Sequence, residues 1–356
     1  MEAATYKCPG CGAVLEFSIE HQAWACGHCR SEYSLGDLAA REEETQAGRP
    51  ASFETARPAL DGGEVRAYRC QSCGADILTD RNTAATFCSY CRSSAIIPDQ
   101  LGDARQPDCI LPFKLAKQKA TELLLEQTKT RPFVPSGFRR DLRDGVMTGL
   151  YVPFWLFSCN ARGYFEAECD QVKTWSDSKY RYVKTDTYHV IRDAEMRVNR
   201  VPVDASDKMD DQKMKAIEPF DYAQLEPFAL QYLSGHYADS YDMTPEAAAP
   251  LGRKRMDDSV RDRVRRMVSG YSAVRQRRMD VYRRNEALDY AMLPVWTFVY
   301  RYSGKDYSYS INGQTGKISG KLPFSAARIW VCLAASLAAG LGLGFLFAGG
   351  VAALLG

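Results

Sequence analysis

Cys8-Pro-Gly-Cys11, followed after fourteen residues by Cys26-Gly-His-Cys29, is the stretch that decides the N-terminal fold. The pattern returns as Cys70-Gln-Ser-Cys73 and Cys88-Ser-Tyr-Cys91, again with fourteen residues between the pairs. C-x₂-C-x₁₄-C-x₂-C is close to the spacing of four-thiolate zinc sites, because each pair turns two sulfurs towards one point. We therefore predict two zinc ribbons, each with one structural Zn²⁺. The eight predicted ligands are Cys8, Cys11, Cys26, Cys29, Cys70, Cys73, Cys88 and Cys91.

Other chemistries of paired cysteines fit this pattern less well. A disulfide framework requires an oxidising compartment, and we expect no signal peptide at the N-terminus. A thioredoxin-like redox motif requires a βαβ context, which the flanking residues do not suggest. Catalytic zinc keeps an open coordination position, whereas four thiolates close the site. The remaining cysteines have no partner pattern and are predicted to be small buried residues: Cys109, Cys159, Cys169 and Cys332.

The charge balance argues against a chain built to coat nucleic acid. Lys and Arg number 46 against 44 Asp and Glu, for a net charge of +2. Residues 1–35 carry two basic and four acidic side chains (net −2), and residues 65–97 carry four and two (net +2). Neither ribbon has a strong phosphate-binding footprint. Protein-binding or purely architectural ribbons are therefore the favoured interpretation.

The region after the ribbons reads as an internal duplication. Residues 36–64 are rich in Glu, Ala, Gly and Pro and predict a flexible linker between ribbon 1 (1–35) and ribbon 2 (65–97). Within 108–325, two copies open with Pro-Phe, continue with a helix-like stretch (115–127 and 222–234) and end in Pro-x-Trp-x-Phe (153–157 and 294–298). Tyrosine-rich alternation and the turn dipeptide Asn312-Gly313 predict antiparallel strands. The expected fold class is α+β: two small ribbons, a duplicated α+β region and one C-terminal transmembrane helix.

Two further segments have unusual composition. Residues 253–284 hold twelve Lys and Arg against four acids, with apolar residues at helical spacing, which predicts a helix with one solvated basic face. Contact of that face with anionic lipid is the second interpretation, and contact with nucleic acid the third. Residues 329–356 contain no charge, and as a helix they would reach about 42 Å, which exceeds the bilayer core. We therefore predict a transmembrane helix there. The preceding basic residues predict a single pass through the cell membrane with the N-terminal bulk in the cytoplasm.

The sequence contains no recognisable catalytic motif. H-E-x-x-H, G-x-S-x-G, Walker A and dinucleotide fingerprints are all missing, and only 4 His are present. We therefore predict that the protein is not an enzyme. No catalytic residue, cofactor-binding residue or small-molecule substrate is assigned.

Four features of the chain together resemble one bacterial family. They are the paired ribbons, the Pro-x-Trp-x-Phe repeats, the apolar C-terminus and the block "LPVWTFVYRYSGKDYSYSINGQTGKISGKLPFS" at 293–325. These are transcription-factor-IIB-type zinc-ribbon membrane proteins, sometimes labelled primosomal helicase-like. The resemblance implies a membrane-stress module in which such a member recruits a flotillin-like partner. The expected function is a membrane-anchored, cytoplasm-facing adaptor that recruits or scaffolds protein partners. The alternative is a membrane-tethered nucleic-acid-binding regulator.

Overall fold

The computed structural model describes residues 2–3, 5–38, 40, 65–70, 73, 76–80, 82–88, 93–97, 106–142, 146–206, 208–326, 328–330, 333 and 336. The predicted linker 36–64 lies almost entirely outside these residues. The N-terminal strands are β1 (Glu2–Ala3), β2 (Leu15–Ser18), β3 (Ala23–Cys26), β4 (Glu32–Tyr33), β5 (Val65–Cys70), β6 (Asp76–Asp80), β7 (Thr83–Phe87) and β8 (Ser94–Ile96). The later strands are β9 (Cys109–Ile110), β10 (Val146–Ser176), β11 (Arg181–Asp204), β12 (Glu226–Pro227), β13 (Tyr237–Asp239), β14 (Ala273–Tyr302), β15 (Lys305–Asn312) and β16 (Ile318–Gly320). The helices are α1 (Lys117–Lys129), α2 (Ser136–Asp141), α3 (Asp211–Ile217) and α4 (Pro245–Arg266).

The chain divides into two compact units. Unit 1 comprises Met1–Phe113, Leu150–Asp211 and Phe220–Pro294. Unit 2 comprises Lys114–Gly149, Gln212–Pro219 and Val295–Gly356. Strands β10 and β14 contribute residues to both.

The predicted α+β class is wrong, because the described chain is mostly β and contains a large mixed sheet with parallel as well as antiparallel pairs. The strand order is β12-β9-β14-β10-β13-β7-β8, with β11 paired to β10. The pairs β9–β14 and β10–β13 are parallel, and β10–β11 is antiparallel. Alternation of apolar and polar residues identifies a strand but not the direction of its neighbour. That is why the parallel pairs escaped prediction.

The two Pro-x-Trp-x-Phe segments occupy corresponding positions in this sheet. Leu150 pairs with Tyr237 of β13, and Ala291 pairs with Cys109 of β9. Leu150 and Ala291 each lie three residues before the proline of their motif. Each short strand therefore pairs with the long strand of the other repeat. We call residues 109–204 repeat 1 and residues 237–312 repeat 2.

The motif tryptophans repeat the same hydrogen bond. Trp155 Nε1 donates to the carbonyl of Met243 at 2.8 Å, and Trp296 Nε1 donates to that of Leu115 at 2.8 Å. Met243 lies six residues after Tyr237, and Leu115 lies six residues after Cys109. The backbone between short strand and helix therefore follows the same course twice.

The helix predicted at 222–234 is wrong. That segment forms short 3₁₀ turns at Tyr222–Gln224 and Leu230–Leu233, with Pro227 between them. A proline cannot donate the backbone hydrogen bond that a helix interior requires. The helix of repeat 2 is α4, which begins after the N-cap Thr244 with Pro245 at its first position. Both are favoured residues at a helix start.

The hairpin β10–β11 is the longest feature of unit 1. Its pairing runs from Phe154↔Asp204 to Ser176↔Arg181. One face is apolar and packs against the buried residues of α4, which include Met256, Val260 and Val264. Gly163 of β10 lies directly under α4, because a Cβ there would come within 2.6 Å of Val264. Apolar burial under α4 therefore holds the middle of the hairpin.

The single basic helix predicted over 253–284 is also wrong, because α4 ends at Arg266 and Gly270 has a left-handed backbone with φ +87°. The arginines from 275 to 284 lie on strand β14 instead. The helical spacing of apolar residues continues through Tyr271 in the sequence. It therefore does not reveal that the helix ends at Arg266, or that Gly270 adopts a left-handed conformation after it.

The predicted membrane span at 329–356, and the single-pass membrane location derived from it, are contradicted. Among the residues that the structure describes, no helix is both long and apolar enough to cross a bilayer. Residues 331–332, 334–335 and 337–356 lie outside the described part of the chain. The prediction rests on length and absence of charge, which are necessary for a span but do not show that a run forms one continuous helix.

Candidate metal centres

Ribbon 1 is built on a three-stranded antiparallel sheet, β2-β3-β4. Leu15 pairs with Cys26, and Trp24 pairs with Tyr33. A turn that carries Cys8 and Cys11 precedes this sheet, and a second turn with Cys29 joins β3 to β4. The local hairpins thus bring residues 21 positions apart to one point.

The four sulfurs of ribbon 1 converge. The Sγ atoms of Cys8, Cys11, Cys26 and Cys29 all lie within 4.8 Å of one another. Two pairs are in closer contact, Cys8–Cys29 at 3.5 Å and Cys11–Cys26 at 3.5 Å. Zinc–sulfur bonds of about 2.3 Å in a tetrahedron place sulfurs roughly 3.8 Å apart, whereas a disulfide requires about 2.05 Å. The geometry therefore fits a four-coordinate metal ion.

Each cysteine pair sits on a tight turn of the same design. The amide of Gly12 donates to the carbonyl of Cys8 at 2.8 Å, and that of Arg30 donates to the carbonyl of Cys26 at 2.9 Å. Gly12 has φ +74° and Arg30 has φ +60°. The glycine is the residue that a left-handed turn favours. Arg30 occupies the matching position, which no glycine signal in the sequence revealed.

The environment of these thiols differs from ligand to ligand. Burial opposes ionisation of Cys8, but hydrogen bonds from the Tyr33 hydroxyl and from backbone amides prevail and lower the pKa of Cys8 to about 6. At Cys11 the amide of Ala13 favours the thiolate, but the neighbouring sulfurs outweigh it and raise the pKa of Cys11 to about 12. Four sulfurs this close cannot all carry charge unless a cation joins them. A bound Zn²⁺ would supply that positive charge.

The apolar side of ribbon 1 is anchored to the rest of unit 1. Trp24 Nε1 donates to the carbonyl of Gln231 at 2.8 Å. The rings of Phe17, Trp24 and Tyr232 form a cluster with centroids 5.1–5.3 Å apart. The knuckle residues 9–12 and 27–30 are exposed on the ribbon. Ribbon 1 therefore presents its metal turns to solvent and buries one face of its sheet.

The second cluster contains three described ligands, Cys70, Cys73 and Cys88. Their sulfurs also lie within 4.8 Å of one another, and Cys73 and Cys88 are 3.7 Å apart. Cys91, the fourth predicted ligand, lies outside the described residues. Strand β7 of this ribbon pairs with β13 of the main sheet. The structure thus brings together seven of the eight predicted ligands in two clusters that can hold metal ions.

The other described cysteines lie elsewhere. Cys159 and Cys169 are buried in the core beneath α4. Burial raises the pKa of Cys109 to about 11. Cys332 lies outside the described residues. None of the three described thiols belongs to a cluster of potential metal ligands among the described residues.

The arginines of β14 are largely neutralised within unit 1. Arg275 forms two hydrogen bonds to the carboxylate of Asp170, at 2.6 and 2.8 Å, and Arg277 binds Glu168 at 2.8 Å. The Arg275 guanidinium holds the pKa of Asp170 below its usual value. Further ion pairs join Arg283 to Asp257 and Arg253 to Glu286. Side chains engaged in such pairs are poorly placed to bind phosphates.

Comparison with known proteins finds one relative over nearly the whole chain. The chain is 31% identical over 325 residues to the uncharacterized protein YdjG of Bacillus subtilis (strain 168), a match that covers 91% of this chain and 92% of the relative. No family model matches the chain, and no solved structure matches it. The resemblance to transcription-factor-IIB-type zinc-ribbon proteins therefore stays a prediction.

Proposed function

The chain belongs to the family of Bacillus subtilis YdjG, and we propose that it is a zinc-ribbon adaptor that scaffolds protein partners. The observation that carries the proposal is the arrangement of ribbon 1. Four converging sulfurs form a closed site, the apolar face is anchored through Trp24, and the metal turns face solvent. A closed four-thiolate site serves structure, because no coordination position is left for a substrate.

Zinc is the metal proposed for both clusters. Four thiolates suit zinc or iron, whereas magnesium and calcium prefer oxygen ligands, and the C-x₂-C-x₁₄-C-x₂-C spacing favours zinc. In the second cluster, Cys91 completes the set in this proposal. It follows Cys88 at the same spacing that separates Cys26 from Cys29.

The partner-binding surface in this proposal is the pair of exposed turns around His28 and Pro9. Bound zinc fixes the backbone of both turns, and a rigid surface loses little conformational entropy when a partner binds. Ribbon 1 has a net charge of −2, which disfavours a polyanion and suits a protein partner. A flotillin-like protein is the first partner to test, because the family resemblance implies one.

The test combines metal analysis with binding measurements. We expect two zinc ions per chain, and about one after Cys26→Ser. Binding of a purified flotillin-like protein is then compared between the parent, His28→Glu on the exposed turn, and the matched control Lys119→Glu on the exposed surface of α1. Loss of binding only in His28→Glu, at an unchanged zinc content, supports the adaptor. A zinc content near zero in the parent refutes the ribbons. Equal binding by both variants refutes the proposed surface.

A further inference from the structure

The end of the β10–β11 hairpin displays aromatic side chains that the fold does not use. Helix α4 covers the apolar face of the hairpin as far as Cys169, and beyond it residues 172–185 are exposed. Trp175 is 52% exposed and Tyr180 is 66% exposed. Large exposed aromatic side chains grouped at one place indicate a binding surface.

The rings form an ordered platform. Trp175 and Tyr182 are directly opposite partners in the hairpin register. Their rings stack with centroids 5.5 Å apart and an interplanar angle of 14°. Tyr180 meets Tyr182 edge-on at 6.4 Å. In a stacked pair of exposed rings, the outer ring faces are where a further planar ring can stack.

Cations stand beside this platform. Lys173 and Lys184 face each other in the same register, each two residues from one of the stacked rings and hence on the same face of the hairpin. Like charges directly opposite each other destabilise a hairpin. Between residues 172 and 186, four basic side chains face two carboxylates, a net of +2. One of these carboxylates, Asp186, pairs with Lys184 at 3.1 Å.

The other carboxylate shapes the turn. Asp177 accepts hydrogen bonds from the amides of Lys179 and Tyr180, at 2.8 and 2.7 Å, and from the Tyr182 hydroxyl at 2.9 Å. This network fixes the ring of Tyr182 before any ligand binds. The extreme end of the hairpin is polar (Ser176-Asp177-Ser178-Lys179). To insert into a membrane surface, the apolar rings would have to lie at the tip of the hairpin, where the polar turn is. Lipid is therefore the less favoured partner.

We propose that this hairpin end binds single-stranded nucleic acid. Bases stack on Trp175 and Tyr182, and the adjoining phosphates contact Lys173 and Lys179. Stacked rings beside cations are the combination that single-strand binders use without sequence preference. This inference is independent of the zinc sites and of the proposed protein partner.

The test is fluorescence anisotropy with the full chain and a labelled twelve-nucleotide oligo-dT. Trp175→Ala is expected to weaken binding by about tenfold, since stacking contributes roughly 1–3 kcal/mol per base. Trp175→Phe should restore most of the affinity. The matched control is Trp330→Ala, because Trp330 is 69% exposed in unit 2. The logarithm of the association constant should fall with the logarithm of salt concentration with a slope of about −1.4 if two lysines contact phosphates.

Three results would overturn the proposal. One is the absence of oligonucleotide binding at low salt. Another is an equal loss of affinity in Trp175→Ala and Trp330→Ala. The third is a chain that ignores the oligonucleotide but sediments with phosphatidylserine vesicles in a Trp175-dependent way, which would assign the platform to lipid.

Discussion

Gly163 offers a direct test of how α4 seats on the β10–β11 hairpin. A Cβ at this position would lie 2.6 Å from one methyl of Val264 and 2.9 Å from a methyl of Val260. Both distances are far below the usual 3.5–4.0 Å separation of carbon atoms. Gly163→Ala therefore forces the helix away from the strand.

The expected cost follows from two opposing effects. Overpacking a core by one methyl group costs about 1–3 kcal/mol. Replacing glycine by alanine in a strand returns about 0.5–1 kcal/mol, because glycine loses more conformational entropy on folding. We expect Gly163→Ala to lower the free energy of unfolding by about 1–2 kcal/mol. In Gly163→Ala/Val264→Ala the new methyl group fills space that Val264 vacates. The loss of stability in the double variant should then be smaller than the sum of the losses in the two single variants.

The assay is urea unfolding followed by circular dichroism for the parent, both single variants and the double variant. Gly36→Ala is the control, because the nearest atom to its Cβ would be 3.8 Å away and its stability should not fall. A Gly163→Ala variant as stable as the parent, or single effects that simply add, would refute the close contact between α4 and β10.

Three further predictions concern the ribbons and one buried histidine. Cys70→Ser should lower the zinc content from two ions to about one and leave ribbon 1 loaded, as measured by metal analysis of the purified chain. Arg30→Gly should preserve or slightly raise stability, since a left-handed residue other than glycine costs about 1–2 kcal/mol. Gly12→Ala should lower stability for the same reason. Thermal unfolding of the zinc-loaded chain measures both effects. Burial lowers the pKa of His236 from 6.5 to about 4, so the unfolded chain binds a proton between these values that the folded chain does not. The stability contribution of neutral His236 is complete above pH 6.5 and declines by about 3 kcal/mol as the pH falls to 4, and His236→Gln should remove this decline in urea titrations.

Each of these predictions has an outcome that contradicts it. A Cys70→Ser chain that still holds two zinc ions would remove Cys70 from the ligand set. A large loss of stability in Arg30→Gly would mean that the arginine side chain, and not the turn, matters at this position. Parent and His236→Gln chains with the same pH dependence between 6.5 and 4 would show that His236 is hydrated in the folded protein.

The metal clusters could be predicted from the sequence because their geometry is local. Two residues separate the cysteines of each pair, and a short hairpin such as β2–β3 brings the pairs together. The turn at Arg30 could not be predicted in the same way, since an arginine gives no sign of a left-handed backbone. The docking of Trp24 against Gln231 could not be predicted either, because no periodicity links residues that are so distant in sequence.

The large sheet escaped prediction for a related reason. The repeated Pro-x-Trp-x-Phe motif is visible in the sequence, but the partner of each copy is not. Cys109 pairs with Ala291 of the other repeat, and neither residue carries a signal of that choice. The start of α4 did carry a signal, Thr244-Pro245, which the more regular pattern at 222–234 obscured.

Because elements of repeat 1 pack against elements of repeat 2, repeat 1 can complete its packing only after repeat 2 has been synthesised. Helix α1 belongs to repeat 1, yet in unit 2 its Leu123 packs beside Gly316, and the neighbouring Leu115 carbonyl accepts the hydrogen bond from Trp296. The ribosome completes α1 roughly 165 residues before it reaches Val295, which corresponds to on the order of ten to thirty seconds of translation. Throughout that interval α1 can contact α2, but it lacks its contacts with repeat 2. The apolar side of α1, which includes Ala120 and Leu124, is therefore completely covered only after repeat 2 has emerged from the ribosome.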